Sequence, residues 1–280
     1  MNTMLKPEFG RIFLPAVLFC LLLLSPVQAY DAAEAGRNIA ARHRDSVITL
    51  QLVNTTRMIM EGVEFHRSEE KNEITATVID PSGLAVFSLS SSDPAGLIQR
   101  LLSGGDEDMK IESALTEITL RFSDGREIPG EVVIRDRDLD LAFAMPAERL
   151  AEPVPALDLS QYAEADILEP VVLLSRMGRG GGWVPSIMLD RIKSVLSRPR
   201  TFYLPDQNTN AYGCPAFNME GKVIGIVLLR ITPGFSGDEG LGLGMMSGAL
   251  GGDMGIFPVI LPVRDILEVV EQIPARDSGN

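Results

Sequence analysis

Histidine, cysteine and tryptophan are nearly absent, at two, two and one among 280 residues. Two cysteines exclude a disulfide scaffold and any multi-cysteine zinc site. Two histidines leave few candidates for a general base or a histidine-rich metal site. Positive charge is also short, with 25 Lys and Arg against 38 Asp and Glu and a formal net charge of −13. Such a chain lacks the basic footprint that a general nucleic-acid binder or an anionic-membrane binder needs. Heptads and short-period repeats are missing. What remains is 45% hydrophobic and 22% charged, an ordinary globular composition that argues against disorder. The length allows one large domain or two modest ones with a substantial core.

The longest apolar run, Ile12 to Leu24, is too short for a membrane span, which needs about 20 residues. Lys6 and Arg11 precede it, and Val27-Gln28-Ala29 offers small residues for cleavage before Tyr30. Residues 1–29 therefore read as a secretory signal, and the protein as periplasmic or secreted. An uncleaved inner-membrane anchor is the alternative. Cys20 is followed by four leucines, the wrong context for a lipoprotein cysteine. Its removal leaves Cys214 alone, with no intrachain partner.

Residues 30–45 are Ala-rich and predict a short helix. Beyond them come short β-type runs separated by turn signals: Ser46–Val53, Ile74–Ile79, Ala85–Leu89, Ile118–Phe122 and Glu131–Ile134. The charged stretch Phe65–Lys71 reads as a hairpin loop, and 93–114 as a helical insertion. A Pro-rich segment at Glu152–Pro155 marks a linker. A second set of runs follows at Val171–Leu174, Ile187–Leu196, Ala216–Phe217, Val223–Leu229 and Ile256–Val259. Residues 234–255 hold nine glycines and read as a flexible loop. Ile266, Leu267, Val270 and Ile273 recur at helical spacing. The expected organisation is an all-β chain of two β units, 46–150 and 151–262, closed by a helix and tail at 263–280.

Several motifs occur in a telling order. They are Ser123-Asp124-Gly125-Arg126-Glu127 with Asp136 to Phe143, then Asn218 to Ile226, then Gly255 to Val263, with Asp80 to Ser91 upstream. Together these stretches resemble trypsin-like serine proteases of the Deg/HtrA kind over about 46–273. The resemblance implies two six-stranded antiparallel β-barrels with a C-terminal helix and an active site between the barrels. The family's PDZ domains have no counterpart within the chain.

The family's chemistry needs a serine nucleophile, a histidine base, an orienting aspartate and backbone N–H groups aimed at the oxyanion. By resemblance the aspartate is Asp140, in Leu139-Asp140-Leu141-Ala142. The strand after Gly83-Leu84 puts Ser90 where the histidine belongs, and a hydroxyl is no base near neutral pH. Pro215, Asn218 and Gly221 set a register in which Tyr212 replaces the nucleophile and Asn210 replaces a glycine of the oxyanion hole. His43, in the N-terminal helix, and His66, in the charged stretch, both read as surface residues outside the slot. Cys214, two positions past Tyr212, reads as buried filler. Ser236 reads as part of a flexible loop.

Two ligand motifs also fail on their own chemistry. Gly180-Gly181-Gly182 lacks the Lys-Ser/Thr and the following helix of a phosphate loop. Asp106-Glu107-Asp108 lacks calcium-ligand spacing. No cofactor and no metal site is expected. The expectation is an inactive protease fold that binds a peptide or protein segment between the barrels or scaffolds an assembly. A working peptidase with a rearranged site, using Cys214 or Ser236, and a structural envelope protein that uses the 93–114 insertion are the alternatives. Family members often trimerise, but no aromatic-rich N-terminal signature is present, so a homo-oligomer is left open.

Overall fold

The computed structural model describes residues 32–97, 109–207, 211–231 and 256–273. In chain order the elements begin with α1 (Ala32–His43), β1 (Val47–Met60), β2 (Val63–Val78), β3 (Ala85–Ser88) and the helical turn α2 (Leu89–Ser92). Then come β4 (Met109–Arg121), β5 (Glu127–Asp136) and β6 (Leu141–Pro146). After a connecting segment follow β7 (Pro170–Arg176), a short 3-10 turn (Arg179–Gly181), β8 (Pro185–Leu196) and β9 (Phe202–Pro205). The last elements are β10 (Pro215–Phe217), β11 (Val223–Ile231), β12 (Ile256–Pro262) and α3 (Val263–Val270). They form two closed antiparallel barrels, β1-β2-β3-β6-β5-β4 and β10-β11-β12-β9-β8-β7, as the resemblance implies. The division expected at 150/151 falls in the segment between β6 and β7.

Three apolar clusters explain why most strands read as continuous hydrophobic runs rather than alternating ones. Ile48, Leu50, Phe87 and Leu120 fill the first barrel. Leu173, Ile192, Val227 and Ile260 fill the second. The third cluster takes Val86 and Phe143 from the first barrel, Phe217, Ile226 and Leu228 from the second, Ile39 of α1 and Ile266 of α3. Neighbours along one strand thus face opposite clusters, as Val86 and Phe87 do, and both are buried. The helices cover apolar surface that the barrels leave between them.

Two expectations about the first barrel are corrected. Residues 65–71 are not a loop: they lie inside β2, paired with β1 from Val47↔Thr77 to Met60↔Val63. The turn is at Glu61-Gly62, where both residues have positive φ (49° and 80°). Charge misled here because this part of the hairpin projects beyond the barrel with both faces wet, so its strand carries no apolar alternation. The expected insertion at 93–114 is helical only at 94–97 among its described residues, and 109–114 belongs to β4. There β4 pairs with β1, for example Arg57↔Glu112 and Thr56↔Ser113. Two strands, β6 and β9, stood outside the runs read from sequence. The Gly-rich stretch 234–255 lies outside the described residues.

Candidate functional site

Asp140 ends the tight turn between β5 and β6 with φ at 58°, a left-handed conformation that Asp tolerates better than most residues. That turn directs the carboxylate inward, and the residue is only 7% exposed. Oδ1 accepts the Ser90 N–H at 2.7 Å. Oδ2 accepts the Ser88 hydroxyl at 2.5 Å and the Leu229 N–H at 3.0 Å. The Asp140 carbonyl also accepts the Leu89 N–H at 2.9 Å. Ser88 and Ser90 belong to the first barrel, whereas Leu229 lies on β11 of the second. One buried carboxylate therefore ties the barrels together. Burial pushes the Asp140 carboxyl above the usual carboxylate range, against the pull of the hydrogen bonds from Ser88, Ser90 and Leu229.

Ser90, expected from the sequence in the histidine slot, is 2% exposed in α2. The helical turn starts at Ser88, whose hydroxyl oxygen accepts the Ser91 N–H at 3.4 Å. A short serine-rich turn is therefore bonded to the aspartate. A charged carboxylate has about four acceptor sites, and the hydroxyls of Ser88 and Ser90 and the N–H groups of Ser90 and Leu229 all turn to this one. Neither histidine is among its hydrogen-bond donors. His66 is exposed on β2, opposite Met58. His43 is not the surface residue expected: it is half-buried, and its ring stacks on Phe217 with centroids 5.1 Å apart. Burial and the neighbouring Arg42 hold its pKa below the ordinary histidine value.

The segment carrying Tyr212 is fixed from both sides. Gly213 has φ of 83°, and a side chain there would run into the Thr75 carbonyl of β2. Its N–H donates to Val227 O at 2.7 Å, and its carbonyl accepts the Thr77 hydroxyl at 2.8 Å. Tyr212 is half-buried and packs against the second-barrel cluster. Burial and the negative charge of Asp140 both push its phenol above the usual tyrosine range. A phenol so placed is a poor nucleophile. Asn210, expected with Tyr212 at the oxyanion hole, lies outside the described residues, as do Ser236 and the 106–108 acidic cluster. Cys214 is fully buried, and that burial raises its thiol pKa strongly.

Ser90 and Asp140 are thus in direct contact, and Tyr212 lies within reach of the Asp140 charge. Sequence reasoning missed Ser88 and Leu229, the other two partners of the carboxylate. No group of three or more His, Cys, Asp or Glu among the described residues is arranged to hold a metal ion. No helix among the described residues is long and apolar enough to cross a membrane.

The paired six-stranded barrels recur in solved structures. A variant of the HtrA-type protease AlgW with a decapeptide matches at TM-score 0.53 and 15% identity, over 85% of this chain and 66% of that one. The same protease with a tripeptide matches at TM-score 0.52 and 16% identity, over 85% and 62%. The fold is that of an HtrA-type protease domain. The chain spans about two thirds of the length of these AlgW chains. The protease domain of MamO from Magnetospirillum magneticum also matches, at TM-score 0.49 and 13% identity, over 81% of this chain and 97% of that one. No protein-family model and no curated protein sequence matches the chain.

Proposed function

We propose that this HtrA-type fold no longer hydrolyses peptide bonds and instead binds an extended peptide or protein segment between its barrels. The observation that carries this reading is the closure of Asp140. Its two oxygens take donors from Ser88, Ser90 and Leu229, so it serves as an internal tie rather than as the orienter of an imidazole. Without a base, a tyrosine whose phenol is held in its neutral form has no route for losing its proton. Loss of such partners costs on the order of 10⁶-fold in turnover.

Binding of an extended segment remains compatible with this arrangement, because strand addition uses backbone groups rather than a catalytic constellation. AlgW, whose fold is shared, carries a tripeptide or a decapeptide in solved structures, which supports a peptide as the class of ligand. Residues 1–29 support export to the periplasm or beyond. The test uses purified protein with unfolded casein and a fluorophosphonate probe. The expected result is no cleavage and no labelling, with casein retained on immobilised protein and retention altered by Tyr212→Gly. Cleavage or labelling that depends on Tyr212 or Ser90 would overturn the inactive reading, and unaltered retention by Tyr212→Gly would overturn binding beside that residue.

A further inference from the structure

Where β1, β4 and β7 converge, a cavity of about 80 Å³ is lined by Thr49, Arg121, Ser123, Arg176, Gly182 and Trp183, with Phe122 and Gly125 completing the wall. It shares no residue with the Asp140 site. A water in liquid occupies about 30 Å³, so the space suits two or three waters or one small polyatomic ion.

Its charge is unusual for a chain of net −13. Arg176 donates Nε to Val47 O at 2.8 Å, Nη1 to Trp183 O at 2.7 Å and Nη2 to Arg44 O at 2.6 Å. All three acceptors are neutral carbonyls, and among the described residues no carboxylate lies within ion-pair distance of this guanidinium. A guanidinium has five N–H groups, so two remain. Burial, together with the positive charges of Arg44 and Arg121, disfavours the charged form of Arg176, against the opposing effect of Asp45. Arg121 bonds Glu127 Oε1 at 2.5 Å and places its guanidinium 3.9 Å from the centre of the Trp183 ring.

One further donor at the same space is unmet. The indole Nε1 of Trp183 is buried with no hydrogen-bond partner. Thr49 is buried, and it and Ser123 bring hydroxyl side chains to the lining. Trp183 also has φ of 54°, a strained value for a bulky residue of the kind that gathers at ligand clamps. The amides of the glycine loop are not the attraction. Those of Gly181, Gly182 and Trp183 donate to Gly178 O and Arg179 O within the loop. Cationic and hydroxyl side chains face the cavity instead.

We propose that this cavity binds a small oxyanion, a carboxylate or inorganic phosphate, through the guanidiniums of Arg176 and Arg121 and the hydroxyls of Thr49 and Ser123. Such an ion would neutralise Arg176, which no carboxylate among the described residues pairs, beside an Arg121 already held by Glu127. Trp183 is the single tryptophan of the chain, so intrinsic fluorescence reads this site directly.

The experiment titrates the full chain with potassium phosphate and, separately, with potassium acetate, each against potassium chloride at matched ionic strength. Calorimetry repeats each titration. The expected result is a saturable response to at least one oxyanion and none to chloride. Saturation by acetate alone identifies a carboxylate site, and saturation by phosphate alone a phosphate site. Arg121→Gln, which leaves every Arg176 contact in place, weakens calorimetric binding about tenfold. Far-UV circular dichroism shows whether that variant is folded. Arg176→Lys keeps the charge but loses the planar fork, and also binds more weakly. No saturable response to either oxyanion, an equal response to chloride, or unchanged affinity in folded Arg121→Gln overturns the proposal.

Discussion

Replacing Asp140 tests whether it is an architectural tie. Its carboxylate accepts two backbone donors, from Ser90 and Leu229, and the hydroxyls of Ser88 and Ser90. In Asp140→Asn the carbonyl keeps one backbone donor, and the amide can turn a hydrogen toward Ser88, whose hydroxyl can accept. The second backbone N–H then faces an NH₂ group. One buried orphaned donor costs about 1–3 kcal/mol. Asp140→Ala orphans both backbone donors and places alanine at φ 58°, for a total of about 3–8 kcal/mol. Urea unfolding followed by circular dichroism reads both values, provided the slope with denaturant is unchanged.

The pH dependence carries its own sign. Folding raises the Asp140 pKa above its usual value of 3.8, so its titration contributes stability that is fully present below that value and is lost as pH rises through the folded pKa. The stability gap between wild type and Asp140→Asn should therefore widen as the solution is acidified toward and below pH 3.8. An asparagine variant within about 0.5 kcal/mol of wild type, inside the range of an ordinary surface substitution, would refute the tie. A gap that narrows on acidification would show that the hydrogen bonds outweigh burial at this carboxyl.

His43 and Gly213 give two further tests. Folding lowers the His43 pKa below its usual value of 6.5, so this group's contribution is present above 6.5 and is lost as pH falls through the folded value. Wild type should lose stability relative to His43→Phe between neutral pH and about pH 5, measured as unfolding midpoints; a constant difference would remove His43 as a cause. Gly213→Ala meets the Thr75 backbone carbonyl and a φ of 83°. A loss of about 3 kcal/mol or more is expected in thermal or urea unfolding, and a near-neutral effect would show that the loop can shift.

The barrel strands were legible because most are buried on both faces: Val171–Leu174 and Val223–Leu229 are apolar nearly throughout. The extended parts of β2 and β4 were not, since Glu69, Lys71, Lys110 and Glu112 lie where no core selects for apolar side chains. Strand β9, only four residues long, offered too little pattern. At the site, Asp140 was legible through a local motif. Its partners were not, because Ser88 and Leu229 stand 52 and 89 positions away, and only the closed fold brings them together. The cavity beside Trp183 had no sequence signal either. Its arginines come from the ends of two strands in different barrels, and its tryptophan sits in the loop between β7 and β8.

The projecting hairpin bears on self-association. Beyond the barrel, β1 is hydrogen-bonded on both sides, but the outer edges of β2 before Thr77 and of β4 before Thr119 have no strand partner among the described residues. Open edges of this kind invite pairing with another chain. The exposed Glu64, Arg67, Glu69, Glu70 and Lys71 along β2 would meet desolvation and like-charge contacts if a second copy docked there. The same charges that disguise this strand in the sequence are of the kind that blunts an open strand edge.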